Sequence, residues 1–73
     1  AAGAEVDIVV AEADRLIPLE VKLSATPRPA MARNLTAFQK DLQDRAAPGY
    51  VTHPGEVRLP LAPGVTALPF SEL

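Results

Sequence analysis

At 73 residues the chain has room for one domain, and a domain this small buries only about 60% of the surface its unfolded form exposes, so its core is thin. It has no cysteine, which excludes disulfide staples, thiolate metal sites and a cysteine nucleophile and fits a reducing, cytoplasmic setting. A net charge of -2 gives no general attraction for nucleic acid, and no apolar run is long enough to make a membrane a partner.

The opening AAGAEVDI runs almost at once into a strand, so residues 1–73 are read as a single domain forming the C-terminal piece of a longer polypeptide. Glu5 to Val10 and Leu16 to Leu23 both alternate apolar and polar residues, as strands with one buried face do. Glu12 to Arg15 between them is short and polar, which predicts a hairpin. Centring it between Ala13 and Asp14 opposes Val6 to Val21, Ile8 to Leu19 and Val10 to Ile17, all apolar. A one-residue slip would turn one of the two sets to the wrong side. The other face then opposes Glu5 to Lys22, Asp7 to Glu20 and Val9 to Pro18. Pro18 has no N–H, so its pair must be of the non-hydrogen-bonded kind, and Asp7 with Glu20 shares that geometry, with Cα atoms about 4.5 Å apart.

Pro29 to Arg45 reads as a helix with an apolar stripe of Met31, Leu35, Phe38 and Leu42, started by Pro29 and stopped by Pro48-Gly49. Tyr50 to His53 reads as a strand. With a helix between them, it and the Leu16 to Leu23 strand are expected to be parallel neighbours. Five of the eight prolines crowd the last third, where Val57 to Leu59 and Val65 to Phe70 read as short edge strands, or a loose hairpin around Pro63-Gly64, closing the sheet. The expected fold is α/β with a mixed sheet: antiparallel hairpin, crossover helix, parallel strand and short C-terminal edge strands. The helix stripe is expected to cover the face made by Val6, Ile8, Val10, Leu19 and Val21.

Two carboxylates opposed on a sheet repel, and they need a cation, a shared proton or another register to coexist. Carboxylate oxygens suit Mg²⁺ or Mn²⁺, which take one or two carboxylates with waters and phosphate oxygens, and Lys22 could assist an attacking water or steady charge on a phosphate. The plainer reading is a solvated strand face on which Glu5 pairs with Lys22. Spacing alone leaves both open.

EVDIVV, the hairpin, LIPLEVKL, the amphipathic helix and the strand after it resemble the catalytic core of the restriction-endonuclease-like PD-(D/E)XK superfamily, with Asp7 at the motif aspartate and Glu20-Val21-Lys22 at the (D/E)XK element. More narrowly, EVDIVV, IPLEVKL and GYVTHPGEVRLPLAPGVTALPF resemble the uncharacterised C-terminal domain that follows an AAA-type ATPase module in bacterial and archaeal proteins. The resemblance implies that Asp7, Glu20 and the Val21 carbonyl bind the metal and that Lys22 assists the nucleophile. DNA and the upstream ATPase module would be the partners. Val6 stands where the motif has proline, and no Gln-three-spacers-Tyr signature follows, since Gln43 comes four positions after Gln39. The alternative function is a non-catalytic interaction or homo-oligomerisation domain that keeps the fold and uses its sheet edge.

His53 has no second histidine or cysteine at ligand spacing and reads as structural. Arg28, Arg33, Lys40 and Arg45 read as a solvated helix face, with Asp41 and Arg45 one turn apart.

Overall fold

The computed structural model describes residues 6–73. Strands β1 (Ile8–Glu12) and β2 (Arg15–Val21) form the hairpin. A 3-10 turn (Pro29–Ala32), helix α1 (Arg33–Leu42) and a second 3-10 turn (Gln43–Arg45) follow, then strands β3 (Gly49–His53), β4 (Leu59–Ala62) and β5 (Val65–Pro69) and a final 3-10 turn (Phe70–Glu72). The strands form one mixed sheet in the order β1-β2-β3-β5-β4.

The hairpin register is the one the alternation requires: Ile8 opposes Leu19, Val9 opposes Pro18 and Val10 opposes Ile17. Ala13, at the first turn position, has a φ of 57°, a left-handed conformation in place of an Asn-Gly or Asp-Gly signal. The Leu16 carbonyl accepts from the Ala47 N–H at 3.0 Å and the Lys22 N–H donates to the Thr52 carbonyl at 2.9 Å, so even-numbered β2 residues turn their peptide groups toward β3. Val9 and Pro18 are therefore a non-hydrogen-bonded pair, as the missing proline donor demands.

The ladder stops one pair short of the expected carboxylate pair. Asp7 lies in a bend before β1, and Val6 leaves the sheet to pack against the core, so neither Val6 with Val21 nor Asp7 with Glu20 belongs to the ladder. The expected pairing of Glu5 with Lys22 lies outside the described residues.

β2 and β3 are parallel neighbours, as the intervening helix predicts. β4 and β5 form the hairpin expected around Pro63-Gly64, but β5 lies inside the sheet, parallel to β3, so of these two strands β4 alone is an edge. Val65 and Ala67 are 1% and 0% exposed, so β5 carries core residues that an edge position would leave half uncovered. Val57 and Arg58 precede β4 rather than belonging to it.

The helix occupies the expected span, but only its middle is α-helical. Gln43, with a φ of 53°, breaks the pattern at the end of α1. Leu35 is fully buried, while Met31, Phe38 and Leu42 are half-buried.

α1 covers the opposite face of the hairpin from the one expected. The core is Ala32, Leu35, Val51, Leu61, Val65 and Ala67, and in the parallel register Glu20 pairs with Val51, which pairs with Ala67. Glu20, Val51 and Ala67 therefore share the helix-covered face, while Ile8, Val10 and Val21 are 49%, 42% and 38% exposed on the other. Alternation shows which residues share a face but not which face the helix takes. The deciding fact is the parallel register with β3 and β5, which places Glu20 in line with their small and branched apolar residues.

Gly49 makes the close β2–β3 approach, since a Cβ there would stand 2.9 Å from the Pro18 ring and 3.1 Å from the Pro18 carbonyl oxygen. Gln39 of α1 donates through Nε2 to the carbonyls of Ala47 and Gly64, tying the helix to the entries of β3 and β5 at one end of the parallel pair. Arg15 donates to the Ala46 carbonyl and Arg45 to the Asp14 carbonyl, which fixes the hairpin tip beside the second 3-10 turn. Arg45 thus reaches the hairpin tip.

Candidate metal centre

Glu20 lies near the end of β2 and Lys22 is the first residue beyond it; two apart in extended chain, their side chains leave on the same, helix-covered side. Glu20 is 5% exposed. Its Oε1 accepts from Asn34 Nδ2 of α1 at 3.2 Å and lies 3.7 Å from Lys22 Nζ, while its Oε2 is buried with no hydrogen-bond partner among the described residues. The Lys22 side chain is 37% exposed, which puts its ammonium at the rim. A charged side chain thus sits beneath a helix with half of its carboxylate satisfied, an arrangement that costs stability without a partner for the remaining oxygen.

Asp7 reaches the same end of β2 by another route. Its Oδ2 accepts from the Val21 N–H at 2.8 Å, taking the place of the ladder partner that strand β1 does not supply. In a strand the N–H and C=O of one residue point to the same side, so the Val21 carbonyl also faces the β1 side, where Asp7 lies. The structure brings Glu20 and Lys22 together and latches Asp7 to the residue next to Glu20. The two carboxylates use different partners, one a backbone N–H and the other an ammonium and an amide.

The sequence-derived set of Asp7, Glu20, Val21 and Lys22 therefore lies at one end of one strand. Asn34 was missed. Its signal was its place three residues after Met31 and four before Phe38, within the buried stripe, where a short amide must face something polar.

A family model, the domain of unknown function DUF4143, matches residues 1–73, the whole chain. The chain belongs to this family. No curated protein and no solved structure matches it.

The residues of this DUF4143 domain fit a hard divalent cation of the kind the nuclease resemblance implies. The orphaned Glu20 Oε2 is a carboxylate oxygen, the donor type such ions prefer.

His53 of the DUF4143 domain is built into the fold. It is fully buried, its Nδ1 accepts from the Gly55 N–H at 3.1 Å, and its Nε2 lies 2.8 Å from the Val57 carbonyl. With Nδ1 accepting, Nε2 carries the hydrogen and donates. No helix among the described residues is long and apolar enough to cross a membrane.

Proposed function

We propose that this chain is a nuclease-like, metal-binding module joined to an upstream AAA-type ATPase module in the same cytoplasmic polypeptide. It binds Mg²⁺ or Mn²⁺ through Asp7, Glu20 and the Val21 carbonyl and hydrolyses DNA phosphodiesters. The observation that carries this reading is the buried Glu20 Oε2 without a partner among the described residues, on a carboxylate beside an ammonium, in a chain whose β1–β2 segment resembles the PD-(D/E)XK core.

The bound ion would polarise a phosphate oxygen and lower the pKa of a water. Each residue has a distinct task. Glu20 offers Oε2 from a fixed position, because Asn34 holds its other oxygen. Asp7 is anchored by the Val21 N–H, which aims its carboxylate at the end of β2. Lys22, at the rim, steadies negative charge developing on the phosphate and can help orient the attacking water.

A second reading, a non-catalytic interaction domain, draws on a different observation: the hairpin face carrying Ile8, Val10 and Val21 is apolar and uncovered. Nicking of supercoiled plasmid by the full-length polypeptide with Mn²⁺ separates the two. Nicking that disappears in Lys22→Ala and in Glu20→Met supports hydrolysis at this site. Nicking that persists in both variants, or none in the native protein, rejects it.

A further inference from the structure

Glu20 faces two positive or donor groups, and both stand on the same oxygen. Asn34 Nδ2 donates to Oε1 at 3.2 Å and Lys22 Nζ lies 3.7 Å from that atom, while Oε2 has no partner among the described residues. The two groups come from different elements: Lys22 from the chain just past β2, Asn34 from the first turn of α1.

The turn that carries Asn34 is fixed. Ala32 and Leu35 on either side of it are buried in the core. Opposite a carboxylate, asparagine can present only its NH2 group, so the direction of the bond follows from the chemistry of the pair. Asparagine is also a poorer helix former than the leucine beside it, which makes the position a cost to the helix. What it supplies in return is a donor held rigidly against one oxygen of Glu20.

An oxygen in that state is a poor second ligand. A cation drawing on both oxygens of Glu20 would compete with the Asn34 N–H for Oε1 and draw closer to the charge of Lys22, whereas a cation drawing on Oε2 alone leaves both groups in place. Divalent ions differ in what this restriction takes from them. Mg²⁺ and Mn²⁺ sit in octahedral oxygen sites completed by water and are served by one oxygen per carboxylate. Ca²⁺ takes about six to eight oxygens and gains from carboxylates that offer both. Resting on the metal-binding reading above, we propose that Asn34 is the positioning residue that keeps Glu20 a one-oxygen ligand, and that the site thereby favours a small octahedral cation over Ca²⁺.

Calorimetric titration of the native protein with Mn²⁺ and with Ca²⁺ tests this, with Glu20→Met as the blank for uptake elsewhere. Asn34→Ala and Asn34→Leu both remove the donor, one with little bulk and the other with the apolar bulk of the surrounding stripe, and circular dichroism checks that each is folded. The native protein is expected to prefer Mn²⁺. Removing the outer partner of a metal ligand weakens binding by about 10- to 100-fold, so Mn²⁺ affinity should fall by at least about tenfold in both variants. Ca²⁺ affinity should hold or rise, because Oε1 becomes free to join. The Mn²⁺ to Ca²⁺ affinity ratio should therefore shrink by about tenfold or more. A role confined to folding would weaken both ions together and leave the ratio where it was. A native protein that binds Mn²⁺ but shows the same ratio in either folded variant overturns the role of Asn34 and leaves the metal site standing. A native protein that binds neither ion overturns both.

Discussion

Lys22 Nζ stands 3.7 Å from one oxygen of Glu20, and the other oxygen of that carboxylate is buried with no partner among the described residues. Burying a half-satisfied charge in a thin core is the kind of cost a fold carries where a ligand completes the site. Replacing Glu20 by methionine keeps the volume and removes the orphaned oxygen. Glu20→Met is expected to leave stability within about 1 kcal/mol of the native value, because Lys22 stands at the rim where water takes over from the lost carboxylate, and the buried half-satisfied charge is gone. Urea unfolding measures it. A large loss of stability would mean that the carboxylate is there to hold the fold.

Ala13 carries the hairpin turn at a φ of 57°, where a Cβ is disfavoured. Ala13→Gly is expected to stabilise the domain by roughly 0.5–1 kcal/mol, the relief of left-handed strain outweighing the added freedom of the unfolded chain. A lowered melting temperature would place the turn in another conformation.

Gly49 admits β3 beside the Pro18 ring. Because an added Cβ would meet both ring and backbone, Gly49→Ala is expected to cost about 1–3 kcal/mol, the range for overpacking. Chemical denaturation would show it as a lower midpoint with an unchanged slope. A neutral outcome would mean that β2 and β3 separate easily here, against the parallel register that buries Glu20.

The two bonds of His53 close the loop between β3 and β4 through Gly55 and Val57. His53→Leu keeps bulk but leaves both backbone groups without that partner, for an expected loss of roughly 2 kcal/mol. Amide exchange should quicken at Gly55 first. Protection there that does not change would contradict the structural role.

The hairpin register was legible because two alternating segments and a proline without an N–H leave few ways to pair, and the parallel β2–β3 neighbourhood followed from the helix between them. The buried face was not legible. A face bearing Glu20 and Lys22 looks solvated, and what buries it, Val51 and Ala67 aligned with Glu20, depends on pairings between strands far apart in sequence. For the same reason the inner position of β5 is not legible, since a Val-Thr-Ala-Leu-Pro segment fits an edge or a hairpin and does not reveal that β3 will lie beside it. The hairpin register and the repulsion of opposed carboxylates single out Asp7, Glu20 and Lys22, and the resemblance adds their roles. That Asp7 latches to the Val21 N–H instead of facing Glu20 could not be read from spacing, because it depends on β1 ending one residue early.

Calorimetric titration with Mn²⁺ tests the metal centre most directly. The native protein is expected to bind with micromolar affinity, Lys22→Ala to retain binding, and Asp7→Ala and Glu20→Met to lose it while remaining folded. A native protein that takes up no Mn²⁺, or one whose affinity is the same after both carboxylates are removed, would contradict a metal site at the end of β2.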